Sequence, residues 1–147
     1  MASHMPVNHP LRPIYRIVGG LSGLYMIVFG VLGAIQTGGE APLGIGVGEV
    51  LLQGTNLANS LLSIAIGALV VLGTVIGRNA DTLAYTYLGW AMLVIGMLFL
   101  AITRTDANVL NHTVNTTIVW FVVGTLLITA GLYSRSAPVR REAATSH

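Results

Sequence analysis

Two short polar clusters interrupt an otherwise apolar chain. Asn56, Asn59 and Ser63 stand at i, i+3 and i+7, and Asn108, Asn111, His112, Asn115 and Thr116 repeat that spacing further on. On helices such spacing gathers each set on one face. Amides and an imidazole collected there could line a small polar pocket for a lipid headgroup, a quinone or a small ion, because polar side chains among apolar helices often mark sites. Arg104 and Asp106 lie at the same level in the adjoining segment. The same residues also have a plainer use. Asn is a strong helix N-cap, and an amide one turn further in, such as Asn115, can bond across helices for roughly 0.6 kcal/mol. One His among amides is a poor ligand set, so no metal is expected.

Other chemistries lack their residues. Cysteine is absent, which excludes disulfides, thiolate metal sites, a cysteine nucleophile and palmitoylation. No Walker sequence, dinucleotide fingerprint, HExxH or nucleophile elbow occurs. No cofactor and no enzymatic activity are expected. His9 and His147 belong to the termini, so a haem ligand pair within the fold is not available.

The elements that must carry the polar clusters are long and oily. The chain has 147 residues, 54% hydrophobic and 8% charged. A water-facing surface usually needs about 25% charged residues. Apolar stretches run over about 14–35, 59–76, 83–102 and 113–132. Each meets the ~20 residues that a helix needs to cross a hydrocarbon core of ~30 Å. The first is too long for the apolar core of a signal peptide. The fold class is therefore all-α, an integral membrane four-helix bundle. Residues 1–5 read as a vector-derived tag remnant, 6–135 as the four-span transmembrane domain, and 136–147 as a flexible cytoplasmic tail. On these bounds no span holds a carboxylate, which argues against a proton-coupled pump. The Gly-rich segment 37–55, with an apolar piece at Val50 to Leu52, reads as a surface or interfacial loop.

All seven basic residues are arginine. With four spans, Arg12, Arg16, Arg78, Arg135, Arg140 and Arg141 share one side and Arg104 stands alone on the other. That bias predicts a multi-pass membrane protein with both termini cytoplasmic. The arginines are few and flank apolar runs, so nucleic acid is not an expected partner. Membrane lipid is, since Arg135, Arg140 and Arg141 can each contribute ~1 kcal/mol at an anionic surface. Tyr15, Tyr85, Tyr87 and Tyr133 read as an aromatic belt at this boundary, and Trp90 and Trp120 as interior packing.

Glycine supplies packing signals: Gly19-x-x-x-Gly23, Gly73-x-x-x-Gly77, and Gly89 with Gly96. Such spacing lets helix backbones approach closely, more readily within one chain than between two. A weak repeat is also visible. Asn56-x-x-Asn59 and Asn108-x-x-Asn111 open the second and fourth stretches, while Tyr15, Gly19 and Phe29 align with Tyr85, Gly89 and Phe99. This suggests two tandem helical hairpins related by a pseudo-twofold along the membrane normal, as in parallel-repeat transporters.

The segments NLANSLLSIAIGALVVLG and NVLNHTVNTTIVWFVVGTLLITAGLY carry a resemblance. With the first and third stretches, most of Ile14 to Tyr133 is similar to the domain-of-unknown-function 4383 family of small actinobacterial four-helix membrane proteins. The resemblance implies a His a few residues after the first Asn of each segment. Here the first segment has Asn59 or Ser60 and the second has His112. The expected role is a non-enzymatic one: a homo-oligomer, or an accessory subunit assembling with a membrane-protein partner. The alternative is a binder or transporter of a small amphipathic molecule through the Asn/His mouth.

Overall fold

The computed structural model describes residues 7–137; residues 1–6, which include the expected tag remnant, and residues 138–147 of the expected tail lie outside them. The described residues form four helices: α1 (Arg12–Thr37), α2 (Leu57–Ile76), α3 (Ala80–Ile102) and α4 (Val114–Tyr133). All four are long and apolar enough to cross a membrane. Between α1 and α2 lies a two-stranded antiparallel hairpin, β1 (Glu49–Val50) and β2 (Gln53–Gly54).

Each helix start has a local cause. Pro13 sets the first turn of α1. Asn56 caps α2 by accepting from Asn59 N at 2.9 Å. Thr113 and Thr116 cap α4 reciprocally, each side chain taking the other's backbone N–H. α2 ends at Gly77, whose φ of +65° suits a residue without a Cβ. Gly77 is therefore a helix stop and not a packing position: a Cβ there would meet only the Arg16 side chain.

The closest helix pairs are α1 with α2 and α3 with α4. Both are notched by facing glycines. A Cβ on Gly23 would come within 3.0 Å of the Gly67 carbonyl, and one on Gly89 within 2.9 Å of the Gly124 carbonyl. Gly19 makes room for the ring of Tyr85, Gly73 for Ala80 and Ala84, and Gly96 for Phe121. These glycines serve contacts inside the bundle. The interior is filled by Met26, Ile66, Val70, Tyr85, Met92, Trp120 and Leu127. Outside, large apolar side chains face outward along every helix, with Ile35 and Val75 both 77% exposed.

Two aromatic expectations need correction. Tyr85 is a core residue, its hydroxyl bonded to Thr74 and to the Arg16 carbonyl, and not part of a boundary belt. Trp90 points outward at 55% exposure, whereas Trp120 is fully buried. A hydropathy run carries no facing information, so it could not separate the two.

The expectation of carboxylate-free spans is also overturned. α3 begins three residues earlier than its apolar run, and its first turn carries Asp81, which is fully buried. Arg12 Nη2 lies 3.2 Å and Arg16 Nε 2.8 Å from Asp81 Oδ2. The arginines also reach the ends of the other helices: Arg12 Nε donates to the Ser134 carbonyl at 2.6 Å, and Arg16 to the Thr74 carbonyl. Cations suit helix C-termini and an anion suits the first turn of α3. One ionic cluster thus ties all four helices at this end. The adjoining tail is also held, since Ser136 N donates to Asn79 and Asn8 N to the Arg135 carbonyl.

Candidate functional site

The polar residues singled out in the sequence meet at the end of the bundle opposite Asp81, but not as two helix faces. Asn108, Asn111 and His112 precede α4, whose cap is Thr113, and they build the connecting loop. Asn111 adopts φ +50°, a conformation Asn tolerates better than most residues. Asn108 shapes the turn, accepting from His112 N at 2.9 Å and donating to the carbonyls of His112 (2.8 Å) and Thr103 (3.1 Å).

The segment expected to be an interfacial loop is the other half of this structure. Asn111 donates to the Thr55 carbonyl at 2.7 Å and accepts from Gly46 N at 2.9 Å. Asn56, beyond capping α2, donates to the carbonyls of Val109 (2.8 Å) and Gly44 (3.1 Å). Thr116 Oγ1 donates to the Gly54 carbonyl at 2.8 Å. Side-chain amides and hydroxyls therefore satisfy loop carbonyls that have no secondary structure to pair them, as buried backbone requires.

At the centre, His112 Nε2 lies 2.9 Å from Asn59 Oδ1. Asn59 Nδ2 donates to Thr55 Oγ1 at 3.1 Å, which turns the amide oxygen toward the imidazole. Nε2 then carries the proton and Nδ1 is a bare lone pair. The ring packs on Trp120 and Phe99, with centroids 4.8 and 4.9 Å away. With His112 only 1% exposed, burial lowers its pKa from 6.5 to about 4, so the imidazole is neutral. His112 Nδ1 and Trp120 Nε1 are buried without a hydrogen-bond partner.

The remaining candidates fall outside this network. Ser63 bonds back to the Asn59 carbonyl in its own helix. Asn115 is exposed and donates to the Leu52 carbonyl at 2.9 Å, so it steadies the hairpin and does not bridge helices. Arg104 and Asp106 are exposed and make no ion pair among the described residues. Sequence reasoning missed Thr55 and Gln53, both buried; Gln53 donates to the Tyr25 hydroxyl at 2.7 Å. It also missed Leu51 and Leu52, the exposed central residues of the hairpin turn, at φ +51° and +65°. Turns of this kind favour Asn-Gly, so a Leu-Leu pair carries no turn signature.

Asn56, Asn59, Asn108, Asn111 and His112 are all buried and bonded mainly to one another and to the loops. An imidazole so enclosed has no open face for proton exchange with an outside substrate. Among the described residues no group of three or more His, Cys, Asp or Glu could hold a metal ion. No protein family, curated protein or solved structure matches the chain.

Proposed function

We propose that this chain is a multi-pass protein of a bacterial plasma membrane, with both termini cytoplasmic, that acts without catalysis by assembling with itself or with a membrane-protein partner. The observation that carries this reading is the closure of the polar cluster upon itself. Side chains that would greet a ligand are spent holding loops, so the surface left for recognition is the apolar exterior. Its companion is the exposed Leu51–Leu52 tip, where two leucines hold a backbone conformation unfavourable for them. Strain of this kind concentrates at functional positions. Orientation is supported by Arg12, Arg16, Arg78 and Arg135 lying at one end of the bundle and Arg104 at the other.

A tandem-hairpin origin fits the burial pattern. Gly23, Met26 and Gly30 of α1 have buried counterparts 66 residues on, in Gly89, Met92 and Gly96. Ile66, Gly67 and Val70 of α2 have theirs 57 residues on, in Val123, Gly124 and Leu127. This register is about one helical turn from the pairing of Gly19 with Gly89 and of Asn56 with Asn108. The resemblance to the domain-of-unknown-function 4383 family rests on the quoted segments and belongs to the same proposal.

A second reading is favoured by one observation. His112 Nδ1 and Trp120 Nε1 are an acceptor and a donor buried without partners, on rings whose centroids lie 4.8 Å apart, a combination that suits a small polar guest at the Asn/His mouth. Purification of the full chain in mild detergent, followed by native mass spectrometry, separates the two. A second copy or a stoichiometric protein partner supports assembly. A monomer that retains a stoichiometric small molecule, lost in His112→Leu with the bundle still folded, replaces assembly with binding.

A further inference from the structure

Near the arginine-rich end, two grooves open sideways onto the bundle exterior. One of about 640 Å³ lies between α3 and α4, and one of about 540 Å³ between α1 and α2. Leu83 and Trp90 line the first where Ile17 and Leu24 line the second, and Ile128 and Leu132 where Val71 and Val75 stand. These substitutions follow the same register as the buried positions, so the grooves are counterparts.

They differ where a headgroup would lie. In the α1–α2 groove the cation is Arg16, already committed to Asp81 and the Thr74 carbonyl. The α3–α4 groove carries Arg135, which makes no ion pair among the described residues. Among the described residues Asp81 is the one carboxylate facing Arg12, Arg16, Arg78 and Arg135 at this end, and it is occupied by Arg12 and Arg16. The α3–α4 groove also presents Tyr87 and Trp90, 70% and 55% exposed, in place of Leu21 and Leu24. An unpaired cation above exposed aromatic and aliphatic walls matches a molecule with an anionic head and an apolar tail. Basic pockets between membrane helices on the cytoplasmic side take anionic headgroups, and ligand sites commonly span about 300–1,000 Å³.

We propose that the α3–α4 groove binds one anionic phospholipid, its acyl chain against Leu83, Trp90, Ile128 and Leu132 and its phosphate at Arg135. The α1–α2 groove takes bulk lipid without charge preference. This inference rests on the membrane reading above.

The chain carries its own probe. Of its two tryptophans, Trp120 is enclosed and Trp90 lines the groove. The full chain is reconstituted into phosphatidylcholine vesicles containing rising fractions of brominated-chain phosphatidylglycerol or brominated-chain phosphatidylcholine, and tryptophan fluorescence is followed. Brominated phosphatidylglycerol reaches half-maximal quenching at a roughly fivefold lower mole fraction, the factor expected from one arginine near the surface. Arg135→Gln merges the two curves. Arg78→Gln, which removes the same charge at the same end, leaves them apart. Trp90→Phe removes the difference. Coincident curves in the unsubstituted chain, or a separation that survives Arg135→Gln, overturn the site while leaving membrane insertion intact. If neither lipid quenches Trp90 although the chain stays with the vesicles, a protein covers the groove and the lipid assignment fails. If the chain does not enter vesicles, the membrane reading fails with it.

Discussion

His112 donates from Nε2 to the side-chain oxygen of Asn59 at 2.9 Å, joining the loop before α4 to the first turn of α2. Nε2 donates in either charge state, so it is burial that disfavours the charged ring and holds the pKa at about 4, below the ordinary 6.5 of a solvated imidazole. The unfolded chain therefore binds the proton more readily than the folded one. Stability is constant above pH ~6.5, declines as pH falls through the window down to ~4, and loses roughly 3 kcal/mol in all. Thermal unfolding of the detergent-solubilised protein between pH 7.5 and 4 should show this slope, and His112→Gln should flatten it. An unchanged slope in that variant would assign the acid sensitivity elsewhere.

Asp81→Asn should destabilise the bundle by about 3 kcal/mol, the low end for breaking a buried ion pair, because Arg12 and Arg16 keep some contact with solvent. Arg104→Gln, at an exposed and unpaired position, should change little. Equal effects from the two substitutions would remove the ionic cluster from any structural role.

Gly67→Val should wedge α1 from α2, since its side chain would drive into the Gly23 backbone, and should cost at least 1–3 kcal/mol. Gly39→Ala meets nothing within 4 Å and should be neutral. Chemical denaturation of both in the same detergent checks the contrast.

Replacing Leu51–Leu52 by Asn-Gly removes side chains from a backbone suited to the new pair. The isolated protein should gain about 1–2 kcal/mol, the relief of left-handed leucine conformations. If the tip serves assembly, the same replacement reduces recovery of the partner or second copy on purification. A stabilised variant with undiminished assembly would detach the tip from function.

The absence of cysteine makes orientation easy to read. In spheroplasts, a membrane-impermeant maleimide should label Arg104→Cys and spare Arg78→Cys. The reverse pattern would invert the proposed topology.

The four helices were legible because long apolar runs leave few alternatives, and each predicted span lies within three residues of its helix bounds. Asp81 was lost because hydropathy sees the oily part of α3 and not its polar first turn, although an acidic residue there is itself a helix-start signal. The Asn108–Asn111 spacing imitated a helix face, while the true cap, Thr113 with Thr116, lacks the acidic partner that makes capping boxes conspicuous. That Asn59 and His112 meet has no local signature at all, since the contact spans 53 residues. The closure of the cluster was equally hidden. It depends on glycine-rich backbone carbonyls whose positions only the folded hairpin defines.

The two termini of the helical stack are fastened by different chemistries. One is a knot of guanidinium groups around a fully buried carboxylate, which mobile ions screen only weakly. The other is a weave of uncharged amides around a single imidazole, indifferent to added salt and vulnerable to acid. Acid thus loosens the amide end through its one imidazole, and whatever docks there encounters a scaffold whose rigidity follows the acidity of the surrounding medium.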